Sequence, residues 1–352
     1  MSAAVTLEAV DGLESARAEW TRLADAAGSP FSTFEWATAW WRHCGDGTPA
    51  IRLCRDGDGR VAALLPLYAT RRGLLRLLRQ IGHGPADQLA PVCVPADRPL
   101  AAAGLLQALR EARGYDLAVL DRFPGEHGWP GLLGQPVARR EPSPVIESGG
   151  EDFDGWLRSR SRNFREQVRR RERKLARGHE LTYRLCDDPD RLDADYDTLV
   201  RLHRARFGAE SRSFDPPRDA LHREFARAAL ERGWLRLWTL ELDGRPAAAW
   251  LGYRMGGAEW YYQAGRDPAL ERESVGFVLM SHTIREAFDA GIPTYRMLLG
   301  DEAYKDRFAN ADHGLETVVV PRGVRGRAAL AALRAAAAAP PGLRRRLRRA
   351  AG

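Results

Sequence analysis

The sequence predicts an α/β fold, with mixed sheets flanked by helices, arranged as two tandem halves in one 352-residue chain. Three observations predict it. Short apolar strand patterns alternate with helical periodicity along nearly the whole length. A Pro/Gly-rich stretch at 124–144 interrupts that order before a second helical segment begins. Two local strings recur in the same order. Asp58-Gly59-Arg60-Val61-Ala62-Ala63-Leu64 is echoed by Asp243-Gly244-Arg245-Pro246-Ala247-Ala248-Ala249, and Arg110-Glu111-Ala112 by Arg285-Glu286-Ala287. The separations, 185 and 175 residues, agree to within one loop, which points to duplication.

Residues 5–10 alternate as a strand, and 13–27 read as an amphipathic helix. After Pro30 a Trp-rich helix begins, with Ser32 or Thr33 as N-cap and Glu35 at the capping-box end. Residues 50–54 and 61–68 form a hairpin around Asp56-Gly57-Asp58-Gly59. That string starts like a calcium loop but lacks the closing Glu, so it is a turn. Residues 101–113 are helical and 116–121 a buried strand. The boundary falls near Ser148-Gly149-Gly150, giving domains 1–150, 151–321 and a basic Ala/Arg tail at 322–352. The second half opens with an Arg-rich helix at 153–177, then a strand (181–185) and helices at 192–207 and 217–232. A hairpin (234–242 and 246–254) leads to a strand (259–264), a loop (267–275), a helix (276–290), a strand (294–299), a short helix (303–308) and a final strand (315–320).

The net charge of +7 is uneven. Residues 158–177 carry a local +8 and residues 322–352 a local +9, so the remainder carries −10. A uniformly basic nucleic-acid binder is not patterned this way. Arg158, Arg162, Arg165 and Arg169 share one predicted helix face, which repels itself unless an anion lies there. Arg162 and Arg165 are therefore candidate contacts for a phosphate-bearing substrate, a tRNA or an anionic membrane surface. The alternative is a solvated helix face. The four cysteines are scattered without metal-ligand or disulfide spacing, the histidines form no metal motif, and no G-x-S-x-G is present. The first residues do not read as a signal peptide and no apolar run reaches membrane-spanning length, so the expected location is cytoplasmic, with the inner membrane surface as a peripheral option.

Chemistry concentrates in two stretches. Gln263, Ala264 and Gly265 end a strand whose following loop carries Arg272, Ser274, Val275 and Gly276 at a helix start, where free N–H groups and the helix dipole suit a pyrophosphate. Next, a buried strand ends at Gly300 and presents Asp301, Glu302, Tyr304 and Lys305. Acyl transfer needs a base for the nucleophile's proton, a role for Asp301 or Glu302, and a donor or cation for the oxyanion or leaving group, a role for Tyr304 or Lys305. Asp87, in a Gly/Pro loop of the first half, is a candidate substrate contact or a turn-former.

These stretches resemble the CelD/BcsL-type acetyltransferases of the GNAT superfamily. The resemblance rests on Trp260-Tyr261-Tyr262-Gln263-Ala264-Gly265, the loop ending Glu273-Ser274-Val275-Gly276, and Leu298-Leu299-Gly300-Asp301-Glu302-Ala303-Tyr304-Lys305-Asp306-Arg307-Phe308. Ser161-Arg162-Asn163-Phe164-Arg165, Pro30-Phe31 and Leu64-Leu65-Pro66-Leu67 are also similar to that family, and the likeness spans about residues 7–320. It implies two GNAT-like halves akin to Fem-type aminoacyltransferases, acetyl-CoA as donor in the second half, and an acceptor between the halves; the scattered His and Cys lead us to expect no metal. The implied acceptor is a polar or glycan-type molecule connected with exopolysaccharide production. Against the usual donor loop Q/R-x-x-G-x-G/A, this chain keeps Arg272 and a single Gly. The Fem-like alternative takes its acyl group from aminoacyl-tRNA. A third reading is a non-catalytic binding subunit.

Overall fold

A computed structural model describes residues 5–208, 211–300 and 302–338. Asp301 and the Arg344–Arg349 run of the tail lie outside the described residues.

The strands form three sheets. Thr6–Ala9, Arg52–Arg55, Val61–Leu65 and Val92–Cys93 make a four-stranded sheet. The chain kinks at Pro66 and continues as Leu67–Arg72 into a six-stranded sheet ordered Thr48–Pro49, Leu67–Arg72, Leu75–Gln80, Leu117–Pro124, Leu315–Pro321, Val137–Glu141. A seven-stranded sheet holds the second half, ordered Leu181–Leu185, Leu235–Leu242, Arg245–Met255, Ala258–Arg266, Thr294–Arg296, Pro144–Glu147, Ala311–Asp312. The halves thus exchange strands. Pro144–Glu147 pairs antiparallel with Thr294–Arg296 in the later sheet, and Leu315–Pro321 pairs with Leu117–Pro124 in the earlier one.

Each half contains the same parallel crossover. Leu75–Gln80 leads through the helix Arg98–Glu111 to Leu117–Pro124, in register Leu77↔Leu117. Ala258–Arg266 leads through the helix Val275–Asp289 to Thr294–Arg296, in register Ala258↔Thr294. This is the unit that the recurring strings announce.

The halves also share a core. Thr33 caps the helix Phe34–Cys44 by accepting from the Trp36 N–H at 3.1 Å. That helix packs on Pro216–Glu231, setting Trp36 5.0 Å from Phe225 and 5.8 Å from Tyr262, both edge-on. Backbones touch where Gly28 meets Gly256: a Cβ on Gly28 would lie 2.8 Å from the Gly256 Cα. Both glycines have positive φ, 70° and 60°, so only glycine fits there.

The Arg-rich segment is two helices, Phe153–Ser159 and Arg162–Gly178, because the Ser161 hydroxyl caps the second by accepting from the Phe164 N–H. The break separates Arg158 from the face shared by Arg162, Arg165 and Arg169. The strand expected to reach residue 299 stops at Arg296. Leu298 then turns with φ 55°, a conformation that costs a branched residue about 1–3 kcal/mol and clusters at functional sites.

Candidate active site

The site begins where two parallel strands part. Ala258–Arg266 pairs with Thr294–Arg296 over three residues only, ending at Trp260↔Arg296. On its other side the register slips between Leu251↔Gln263 and Gly252↔Tyr261, which leaves Tyr262 as an extra residue. The bulge puts adjacent tyrosines to different uses. Tyr261 stacks on Trp250 with centroids 5.9 Å apart and meets the Tyr304 hydroxyl at 3.0 Å. Tyr262 donates to the Pro85 carbonyl at 2.9 Å, across the seam between the halves.

Two cavities meet at Tyr261 and Tyr304. One, of about 230 Å³, is bounded by Ala264, Gly265, Ser274 and Gly276 and by the arginines Arg171, Arg206, Arg266 and Arg307. The other, of about 370 Å³, is bounded by Asp87 and Arg122 from the first half and Gln263, Glu302, Tyr304 and Lys305 from the second. Arg206, Tyr261, Ala264 and Tyr304 belong to both walls.

In the first cavity Ser274 precedes the helix Val275–Asp289 with φ 58° and makes no side-chain cap. The first helical N–H groups, of Val275 and Gly276, have no hydrogen-bond partner among the described residues. They are the orphan donors that every helix start leaves, here beside a cavity walled by guanidinium groups. A Cβ on Gly276 would press to 3.1 Å of the Arg266 Cδ, so the glycine lets that arginine lie over the helix start. Burial, with Arg307 close by, lowers the Arg171 guanidinium below its ordinary range.

In the second cavity Asp87 is largely enclosed, its side chain 14% exposed. Burial pushes its carboxyl up to about 6, against the pull of Arg122, of Lys305 and of the Leu299 N–H. Arg122 stands 3.5 Å away and the Leu299 nitrogen 3.4 Å. Lys305, also buried, donates to the Leu299 carbonyl at 2.6 Å and pairs with Glu302 at 3.0 Å. Gly300 has φ 137°, a conformation that favours glycine, and a Cβ there would also displace the Glu302 carboxylate and the Lys305 ammonium. Burial and the Tyr261 hydroxyl hold the Tyr304 phenol far above its ordinary range, so it keeps its proton.

The candidates from sequence sort by place. Gln263, Ala264, Gly265, Ser274 and Gly276 line one cavity or the other, as do Asp87, Glu302, Tyr304 and Lys305. Val275 is buried in the core behind the helix start and offers only its N–H. Arg272 is exposed and lines neither cavity. Arg266, at the end of the strand itself, occupies the phosphate side instead, tied to Glu271. Arg162 and Arg165 run along the outer face of their helix, outside both cavities. Arg162 pairs with Glu166 at 2.9 Å, and Arg165 donates to the Arg160 carbonyl at 2.7 Å. Sequence reasoning passed over Arg171, Arg206, Arg266 and Arg307. Arg171 carried a readable signal, since it shares the helix face of the buried Phe164, Val168 and Leu175, where a lone arginine needs a reason. Arg307 lies over Phe164 and Phe277 at the cavity wall.

The four cysteines line neither cavity. Burial pushes the Cys186 thiol up to about 12, so no ready thiolate stands by for a covalent intermediate. Among the described residues no cluster of three or more His, Cys, Asp or Glu is placed to hold a metal, and no helix is long and apolar enough to cross a membrane.

Residues 162–306 match the family model described as an acetyltransferase (GNAT) domain. No curated protein matches the chain. Solved structures share its fold over most of its length. FemX is 13% identical, with 90% of this chain and 95% of that one covered and a TM-score of 0.62. The C-terminal domain of a putative lysylphosphatidylglycerol synthetase from Agrobacterium fabrum is 15% identical, with 92% and 95% covered and a TM-score of 0.57. A tandem GNAT protein from the clavulanic acid biosynthesis pathway is 12% identical, with 91% and 99% covered and a TM-score of 0.51. The fold and site thus define a tandem GNAT-fold protein. Its second half is a GNAT-type acyltransferase domain.

Proposed function

We propose that the protein transfers an acyl group, acetyl from acetyl-CoA, to an amine or hydroxyl of a polar acceptor by direct attack within a ternary complex. One observation carries this reading: two cavities of different chemistry share a wall at Tyr261 and Tyr304, whose hydroxyls are 3.0 Å apart. The first suits the donor. The guanidinium groups of Arg171, Arg266 and Arg307 and the free N–H groups at Val275 and Gly276 are set for phosphates. Beyond Trp260 the strand Ala258–Arg266 loses its partner on the Thr294–Arg296 side, leaving an edge along which an extended amide-bearing arm can pair.

The second cavity holds the acceptor. The nucleophile attacks the thioester carbonyl as Asp87 takes its proton. A carboxyl with a value near 6 is ionised at neutral pH yet basic enough to accept. The carbon–sulfur bond breaks, and the Tyr304 phenol donates its proton to the leaving sulfur, giving amide or ester and free thiol. Lys305 and Arg122 hold Asp87 and the loop at Leu299 in place. Glu302, at the cavity rim, is the second candidate base, with Asp301 beside it in sequence.

An acceptor of the exopolysaccharide or cell-envelope type remains the reading that the CelD/BcsL resemblance favours, with a cytoplasmic enzyme that meets the membrane only at its surface. A second donor, aminoacyl-tRNA, is favoured by the outward row of Arg162, Arg169, Arg170, Arg173, Lys174 and Arg177, and by the likeness of fold to FemX. The open cavities count against a purely structural subunit. A thermal-shift titration with acetyl-CoA, CoA and bulk tRNA in moderate salt separates the three. A ligand at 100 times its Kd stabilises the fold by about 2.7 kcal/mol. A shift with acetyl-CoA supports acetyl transfer, a shift with tRNA alone supports aminoacyl transfer, and silence to all three supports the structural role.

A further inference from the structure

The acceptor cavity is divided by charge. At one end Asp87 and Glu302 stand against Arg122 and Lys305, so charge is balanced among the described residues. At the other end lie Arg206 and Arg212, and no carboxylate among the described residues comes within ion-pair distance of either. The neighbouring Arg218 is already held by Asp215 at 2.6 Å. Two guanidinium groups on one wall, neither paired with a carboxylate among the described residues, favour a bound anion.

His222, on the same wall, adds an independent observation. The Pro85 carbonyl can only accept, so the Tyr262 hydroxyl spends its one proton there. Its oxygen must then accept from the His222 Nε2–H, at 2.8 Å. Burial keeps that imidazole neutral, pushing it down to about 3, so Nδ1 carries a lone pair. Nδ1 is buried and has no partner among the described residues. A buried acceptor left empty is destabilising, and a ligand N–H or O–H would relieve it.

We propose that the acceptor is an anion-bearing amine, its carboxylate or phosphate held by Arg206 and Arg212, one of its N–H or O–H groups donating to His222 Nδ1, and its amine reaching Asp87. This rests on the assignment of the second cavity to the acceptor. It explains the division of charge, since an amine that arrives as ammonium is drawn to the Asp87 and Glu302 end while its anion is drawn to the other.

The test is binding to the full-length protein without donor, measured by calorimetry on two pairs of probes: alanine against alaninamide, and glucosamine 6-phosphate against glucosamine. Within at least one pair the anionic member binds about tenfold tighter or more, and which pair does so separates carboxylate from phosphate. Arg212→Gln, an exposed position that leaves the fold intact, brings that ratio close to one. Arg173→Gln on the outer helix face leaves it unchanged. His222→Phe weakens both members of the pair by a similar factor. Equal affinities within both pairs, a preference that survives Arg212→Gln, or no binding by any probe would each overturn the proposal. Because donor is absent, a failed acetyl-CoA titration alongside an intact anion preference would sink the donor assignment and leave the subsite standing.

Discussion

The two halves use one crossover to opposite ends. In both, parallel strands pair for three residues and then part, and the chain turns through a non-glycine residue of positive φ, Arg122 (57°) within the later strand of the first half and Leu298 (55°) just after that of the second. In the first half the gap is plugged by its own chain. Ala86 and Leu89 are buried there, and the Leu89 N–H donates to the Arg122 carbonyl at 3.1 Å. In the second half the short helix Ala303–Phe308 closes the gap only partly, and the two cavities remain. The plug is not idle: the same loop delivers Asp87 and Pro85 to the cavity lined by Tyr262, Tyr304 and Lys305 of the second half. The difference teaches that a duplicated unit can lose its own pocket and still furnish part of its twin's.

Four changes break or sharpen that comparison. The largest effect is expected from Gly276→Trp, which fills the space beside Arg266 at the helix start; acetyl-CoA stabilisation should vanish in the thermal-shift assay while the unliganded midpoint moves little. Tyr304→Phe should lower kcat by about a hundredfold with donor affinity retained, as removal of a general acid does; a rate within a factor of two of the parent would take Tyr304 out of the chemistry. Gly256→Ala forces a methyl group into the backbone of Gly28 at a positive-φ position, and should destabilise by about 2 kcal/mol in urea titration by wedging the halves apart. A further test is the pH dependence of stability. Burial holds His222 at about 3 and His127 and His282 at about 4 in the folded chain, against about 6.5 unfolded. Folded values below unfolded ones mean stability that is complete above about pH 6.5 and lost as pH falls toward 4. The melting midpoint should therefore drop across that window, and a flat profile would argue that these imidazoles are not buried neutral.

Much of the fold was legible in the sequence because strand alternation and helix periodicity are local signals. The hairpin of Leu235–Leu242 with Arg245–Met255 and the helix Val275–Asp289 fall within two residues of expectation. The exchange of Pro144–Glu147 and Leu315–Pro321 between sheets was not legible, since a short apolar strand carries no mark of which sheet it joins. In the site, the Tyr304-Lys305 string and the helix start at Gly276 stood out because each is contiguous. The arginine wall did not, because Arg171, Arg206, Arg266 and Arg307 come from four separate elements and meet only on folding. Asp87 looked like a turn residue, and only enclosure by the second half, 212 residues from Leu299, gives it the environment of a base.

The claim that the first half supplies that base is tested most directly by the pH dependence of kcat/KM for the parent and for Asp87→Asn. The parent should lose activity as pH falls through about 6, where the enclosed carboxyl takes up its proton. Asp87→Asn should bind donor as before, turn over about a hundredfold more slowly or worse, and lack the limb near pH 6. An Asp87→Asn protein that keeps its rate and the same limb would show that the base lies in the second half alone.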